Sequence, residues 1–227
     1  MKSNNRILRS GFSRFGARRA SAEEGLTLIE VLAAMIIVVI VALAGAGLTI
    51  NGLNTATAQE RNQVAVTIAN GQMEAISGWT VANNSGTGVS YLYTGRCQSN
   101  VTAAFTTYAS VPGVSQTYPV WDPSATTAGT CSSATFPVTT TSSQNGTQYT
   151  ITTILGACYE TLVGGSCGTI SGQSTNPTTT PAGYTALIRV IVYVTWTAGS
   201  TCAANGCSYE TTSFADAHAD PQWVTHS

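Results

Sequence analysis

Apolar residues form one long run near the N-terminus of the chain. From Val31 to Ile50 twenty consecutive residues carry no charge, and as an α-helix such a run is about 30 Å long, enough to cross the hydrocarbon core of a bilayer. Glu30 stands at the beginning of this run. An ionisable residue within an apolar span costs about 2.5–3.5 kcal/mol at the bilayer centre and less near its edge. Glu30 is therefore a candidate functional residue that needs a partner.

The apolar run continues into an amphipathic pattern, so residues 26–78 are predicted to form one helix. No proline occurs before Pro112. Apolar residues then recur at spacings of three and four, which places them on one helical stripe: Val64, Ala65, Ile68, Ala69, Met73 and Ile76. We expect the first half of the helix in a membrane or filament core, and the stripe against a globular head.

Three later segments have the pattern of β-strands, at 147–157, 183–199 and 208–215. The second alternates most clearly, with one face made of Ile188, Val190, Val192, Val194 and Trp196. Asn205-Gly206 favours a tight turn before the third strand. The predicted fold class is α+β, a long N-terminal helix packed against a C-terminal antiparallel sheet whose loops are closed by disulfides.

The other segments of the head lack a clear period. Residues 79–123 are predicted to be irregular, with short β-prone pieces at 89–95 and 102–111. The Thr/Pro-rich residues 171–181 are predicted to form a loop.

Charge is sparse and unevenly distributed. Charged residues make up 8% of the chain, against roughly 25% in typical soluble domains, which suits a neutral polar surface displayed outside the cell. The segment before Gly25 has six basic and two acidic residues, whereas the chain from Leu26 onward has three basic and eight acidic residues. By the positive-inside rule the basic N-terminal segment stays on the cytoplasmic side of the membrane and the chain after the span lies outside. We interpret the positive charge of this N-terminal segment as a determinant of membrane orientation and not as a nucleic-acid binding site.

All six cysteines follow the apolar run: Cys97, Cys131, Cys158, Cys167, Cys202 and Cys207. An even number on the predicted outer side indicates three disulfides in an oxidising compartment, and zinc would favour C-x2-C spacings that do not occur here. Sequence alone leaves the pairing open. The two shortest spacings favour the local pairs 158–167 and 202–207, which leaves Cys97 with Cys131.

Two simpler alternatives account for an N-terminal apolar run. A secretory signal peptide would be cut near Ala42, Ala44 and Ala46, but this run is longer than the usual ~7–15 residues and Glu30 interrupts its start. A permanent single-span anchor fits the length of the run but leaves Glu30 unexplained.

The residues GLTLIEVLAAMIIVVIVAL, from Gly25 to Leu43, resemble the N-terminal signature of prepilins, the precursors of type IV pilins and pseudopilins. The resemblance implies that a membrane peptidase cuts after Gly25, that Leu26 becomes the N-methylated first residue, and that Glu30 is the acid of the family. It divides the chain into a leader (1–25), a helix with a transmembrane and assembly half (26–78), and a β head (79–227). The family most often has Phe where this chain has Leu26, which argues against a major subunit.

Cleavage after Gly25 would create a positive amine on Leu26, about one helical turn before Glu30. A charged amine in an apolar core needs an opposing carboxylate. In the prepilin family, which the segment around Leu26 and Glu30 resembles, the N-terminal amine of one subunit pairs with the acid of its neighbour and guides assembly. An intramolecular pair with its own N-terminus is the alternative for Glu30, and the sequence does not separate the two.

The resemblance implies a structural and interaction protein, and the large head favours a minor pilin of a type IV pilus or related filament. The alternative is a pseudopilin of a type II secretion or DNA-uptake system. Expected partners are other pilin subunits, the prepilin peptidase and the inner-membrane assembly machinery, with no nucleic acid, cofactor or metal. Before assembly the chain would span the cytoplasmic membrane once with its head outside. After assembly it would lie in a filament at the cell surface or in the periplasm.

Two motifs raise the further alternative of a membrane-anchored enzyme. GGSCG, residues 164–168, matches a hydrolase nucleophile elbow around Ser166, which requires a strand before it and a helix after it. Asp216, His218 and Asp220 would share one face of an extended chain, as metal ligands do. Because Ser166 lies beside a cysteine in a short loop and a solvated polar tail is the simpler interpretation of DAHAD, we predict no enzymatic activity.

Overall fold

The residues that the structure describes form a long N-terminal helix and an antiparallel β-sheet, which is the predicted α+β class. The structure is a computed structural model, and it describes residues 27–80, 89–126, 131, 133–197, 202 and 206–216. Internal contacts divide the chain into two units, Met1–Ile50 and Asn51–Ser227.

Helix α1 extends over Leu28–Thr80, close to the predicted 26–78, of which residue 26 lies outside the described residues. Within the second unit its predicted apolar stripe is buried. Ala65 and Ala69 are 0% exposed and Ile76 is 1% exposed. Val64, Ile68 and Met73 are partly buried beside them. The spacing of three and four therefore identified the face that packs on the sheet.

Among the described residues the sheet has five strands, with β1, β3, β4 and β5 adjacent in that order and β2 paired with β3. All pairs are antiparallel. The strands are β1 (Tyr118–Pro119), β2 (Thr139–Gln144), β3 (Thr147–Thr161), β4 (Tyr184–Trp196) and β5 (Cys207–Asp216). The three predicted strands correspond to β3, β4 and β5, which pair with one another in chain order.

Strand β2 was not predicted, although its turn has a clear signal. Asn145 and Gly146 join β2 to β3 with φ values of 49° and 73°. Two consecutive positive φ angles are what a type I′ hairpin turn requires, and Asn-Gly is its preferred sequence. The polar Thr/Ser composition of β2 concealed the strand, because its residues are exposed or only partly buried and none is apolar.

The prediction of short β-prone pieces at 89–95 and 102–111 was wrong. Val89–Leu92 is a 3-10 turn, and most of the second piece lies in helix α2, Gln98–Thr107. Val101 and Ala104 are buried on one side of this helix, at the spacing of three that a helical face requires. The β-branched and aromatic residues that suggested a strand instead pack on the sheet from α2 and the turn after it.

The two faces of the sheet carry different cores. The face formed by Ile188, Val190, Val192, Val194 and Trp196 joins the main core with α1. On the other face Ile154 and Ile191 pack with Val111 and Val114, which follow α2. The sequence analysis placed Ile188, Val190, Val192, Val194 and Trp196 on one face of a strand because apolar residues alternate there, and the structure confirms this face.

Two arginines are buried in the second unit. The guanidinium of Arg189 donates to the carbonyl oxygens of Gly113 (2.8 Å) and Cys167, and lies 5.2 Å from the ring centroid of Phe214. Arg96 donates to the carbonyl oxygen of Thr153, and burial lowers its pKa to about 10. Both side chains connect loops to the sheet through backbone carbonyls, so they are structural cations.

Candidate functional site

The N-terminal helix begins immediately after Thr27. The carbonyl oxygen of Thr27 accepts the N–H groups of Glu30 (2.9 Å) and Val31 (3.2 Å), so Glu30 lies in the first helical turn. A carboxylate in this turn is stabilised by the helix dipole by about 0.3–1 kcal/mol. The helix terminus therefore supplies a favourable environment for the only charged residue between Thr27 and Gln59.

The sequence analysis missed this local role of Glu30, although a signal for it exists. Thr27 and Glu30 have the T-x-x-E spacing of a capping box, in which a threonine precedes a helix and a glutamate follows three residues later. The interaction with the helix dipole and a partner outside the chain are compatible, because the dipole interaction leaves both carboxylate oxygens able to accept hydrogen bonds.

The helix exposes apolar side chains on both sides of Glu30 and along the length that follows it. Fifteen large hydrophobic residues between Leu28 and Leu53 are exposed, each by 40–83%. Fully burying one such side chain is worth about 1.5–3 kcal/mol relative to leaving it in water. This part of the helix therefore has a strong tendency to enter lipid or to pack against other apolar helices.

Length and composition allow the helix to cross a membrane. The candidate span lies within Leu28–Trp79, and none of its most apolar window is buried inside the protein. A core helix of a globular domain would have this face covered by its own fold. Here the N-terminal unit leaves it open, which is consistent with membrane anchoring.

The structure describes only part of the predicted processing and assembly site. Gly25 and Leu26 lie outside the described residues. The Glu30 side chain is exposed, and its carboxylate has no hydrogen bond or ion pair with any residue that the structure describes. Glu30 is thus available to a cation from its own N-terminus or from another subunit.

The six cysteines form three disulfides, all in the second unit. The pairs are Cys97–Cys131, Cys158–Cys167 and Cys202–Cys207, the same pairs that the spacings favoured. Cys158 lies in β3, and Cys167 lies in the loop that follows this strand. The second disulfide therefore closes the loop at the end of β3, and the third closes the connection into β5.

Neither candidate for enzymatic chemistry has a developed site among the described residues. Ser166 lies in an exposed loop after β3, and the chain continues to β4 without the helix that a nucleophile elbow requires. Asp216 is the last residue of β5, whereas His218 and Asp220 lie outside the described residues. Within the described part of the chain no group of three His, Cys, Asp or Glu residues has metal-binding geometry.

Comparison with protein-family models, with curated proteins and with solved structures finds no match to this chain.

Proposed function

We propose that this protein is a pilin-like subunit, a minor pilin of a type IV pilus or a related filament. In this proposal the leader is cut after Gly25, the helix from Leu26 onward packs among other subunits, and the β head is displayed. The observation that carries the proposal is Glu30, a lone carboxylate at the start of an exposed apolar helix. Its resemblance to the acid of the prepilin signature supplies the assignment.

Energetics support a role for Glu30 in assembly. An isolated charge moved into an apolar environment costs several kcal/mol, and an opposite charge at hydrogen-bonding distance offsets that cost. The amine that cleavage would create on Leu26 supplies this opposite charge when subunits stagger by about one helical turn. The apolar side chains around the pair would then be covered by neighbouring helices.

The proposal also accounts for the distribution of disulfides and charge. The basic N-terminal segment precedes the apolar span, whereas all three disulfides follow the span. A chain that leaves its N-terminus in the cytoplasm and its head in an oxidising compartment would have this arrangement. The head comprises most of the unit Asn51–Ser227, which is large for a subunit that serves only to build a filament and favours a minor pilin.

Replacement of Glu30 tests the proposal in the cells that produce the protein. Glu30→Ala and Glu30→Gln should leave membrane insertion and cleavage intact, since the cut bond lies at Gly25. Incorporation into sheared filaments should fall strongly in both variants, because an incoming amine would lose its partner. Glu74→Ala is the matched control: it removes an exposed carboxylate from the same helix and should be incorporated normally.

Two measurements are needed for each variant. Mass spectrometry of the membrane fraction should find Leu26, N-methylated, as the first residue, and immunoblotting should compare the membrane pool with sheared filaments. An N-terminus near Ala46 would identify a secretory signal and refute the proposal. Normal incorporation of both Glu30 variants would show that Glu30 does not guide assembly.

A further inference from the structure

A groove on the second unit has the size and composition of a small-ligand site. Its volume is about 540 Å³, within the range of roughly 300–1,000 Å³ that small-molecule sites occupy. Two chain segments line it: residues 118–121 and 123, which begin in β1, together with Tyr93, and residues 174–178 from the loop before β4. Neither segment contributes to the apolar surface around Glu30.

The first segment supplies an aromatic and apolar surface. Trp121 and Tyr93 are each only partly buried, so part of each ring borders the groove. Pro119, Val120 and Pro123 complete the apolar lining. The face of an aromatic ring carries partial negative charge and attracts polarised C–H groups, so this surface suits a flat ligand face made of C–H bonds.

The second segment supplies neutral hydrogen-bonding groups. Four of its five lining residues are exposed and carry hydroxyl or amide side chains, namely Ser174, Thr175, Asn176 and Thr178, and the fifth is Pro177. The Oδ1 atom of Asn176 accepts a hydrogen bond from the Tyr159 hydroxyl at 2.9 Å. This bond fixes the orientation of the amide and leaves the two N–H donors of Nδ2 for a ligand.

Both segments are attached to the same sheet framework. The Tyr118 hydroxyl accepts the N–H of Ile170 (2.9 Å) and donates to the carbonyl oxygen of Gln173 (3.1 Å). On either side of Trp121, Pro119 pairs with Gly156 in β3, and the Asp122 N–H donates to the carbonyl oxygen of Arg96 at 2.9 Å. The groove is therefore held in shape before a ligand arrives, which reduces the entropy lost on binding.

We propose that this groove binds a neutral saccharide. A sugar ring presents an apolar C–H face, which would stack on Trp121, and a rim of hydroxyls, which donate to and accept from the 174–178 loop. An anionic ligand would find no counter-charge, since no lysine, arginine or histidine is among the lining residues. A proline-rich peptide offers carbonyl acceptors but no N–H at its prolines, so the acceptor capacity of the loop hydroxyls would be unused.

The test uses the full chain in a zwitterionic detergent, because glycosidic detergents would compete for the groove. The purified protein is applied to an array of neutral and acidic glycans, and the dissociation constant of the best neutral ligand is measured by calorimetry. Binding should be selective for neutral saccharides and unchanged between low and high salt, because only charged contacts are screened.

Two variants locate the binding in the groove. Trp121→Ala should weaken binding at least about tenfold, because it removes the stacking surface, and Trp121→Phe should retain part of the affinity. Asn176→Asp keeps the acceptor for Tyr159 but removes the amide donors, so it should weaken binding about three- to tenfold. Trp79→Ala is the matched control, since Trp79 is 42% exposed on α1 and lies outside the groove lining.

Each contrary outcome overturns the proposal. These outcomes are an absence of saccharide binding, binding restricted to acidic glycans with strong salt dependence, and affinity that survives both Trp121→Ala and Asn176→Asp. Trp121-dependent binding of proline-rich peptides in place of saccharides would assign the groove to peptide recognition. Glu30→Ala should bind the saccharide normally, so failure of the assembly proposal and failure of the saccharide proposal are distinguishable.

Discussion

Replacement of Gly156 by alanine tests how closely the segment after α2 approaches the sheet. A Cβ atom at Gly156 would lie 2.7 Å from Thr117 Cβ, 2.8 Å from Thr117 Oγ1 and 3.0 Å from Phe105 Cζ. Ordinary contacts between carbon atoms are about 3.5–4.0 Å. Gly156 pairs with both Pro119 and Arg189, so the strand cannot shift without disturbing its neighbours.

The expected free-energy change combines two opposing effects. Overpacking of a filled interior costs about 1–3 kcal/mol, whereas removing a glycine from a strand gains about 0.5–1 kcal/mol when the new methyl group has space. The Thr117 hydroxyl also donates to the Val114 carbonyl oxygen at 2.9 Å, a bond that a displaced Thr117 would weaken. We expect Gly156→Ala to lower the free energy of unfolding by a net ~1–2 kcal/mol.

Urea unfolding of the oxidised full chain in detergent, followed by tryptophan fluorescence, measures this change. The midpoint should fall by about 0.5 M in Gly156→Ala. Gly168→Ala is the matched control, because a Cβ at Gly168 meets nothing within 4 Å, and its midpoint should be unchanged or slightly raised. In a double-mutant cycle, Thr117→Gly should reduce the cost of Gly156→Ala. A midpoint that rises in Gly156→Ala as in the control would refute the close approach.

Two further predictions concern the head. Replacing both Cys158 and Cys167 by serine should lower the free energy of unfolding by about 2–4 kcal/mol in the loop-entropy account. Urea unfolding measures this change. Cysteine thiols that react with alkylating reagents in the native wild-type protein would contradict the three disulfides. Hydrogen bonds from the Gly95 N–H and from Ser124 lower the pKa of Asp122, so their stabilisation is present above the ordinary carboxyl pKa and is lost as the pH falls through the lowered value. The hydrogen-exchange protection factor of the Gly95 amide should decrease in that acid range and show no such step in Asp122→Asn, and a pH-independent factor in wild-type protein would contradict this.

Local periodicity accounts for the elements that the sequence predicted correctly. The stripe that contains Ala65, Ala69 and Ile76 repeats with the period of a helix, and β4 alternates with the period of a strand. The helical stripe arises because α1 buries one face in the main core. In β4 both faces are buried, and the alternation separates the residues of the main core from those, such as Ile191, that pack with the segment after α2. Helix α1, strands β3 to β5 and their order were therefore accessible before any tertiary structure.

The candidate assembly site was predictable for the same reason. Glu30 is conspicuous because its neighbours are all apolar, and the unbroken run from Val31 to Ile50 is a property of composition. The structure adds that Glu30 lies in the first turn of α1, with an exposed apolar surface around it. Processing at Gly25 and Leu26 and pairing with another subunit remain predictions from the resemblance.

Tertiary structure alone decided the features that depend on contacts between distant residues. Residues 98–107 form a helix that buries Val101 and Ala104, although the composition of residues 102–111 suggested a β-prone piece in an irregular region. The groove proposed to bind a saccharide brings Tyr93 and Trp121 together with Asn176, and no local pattern connects positions so far apart. A sequence records the periodicity of each element, but which side chains border a common cavity is set by the pairing of strands and the closure of loops.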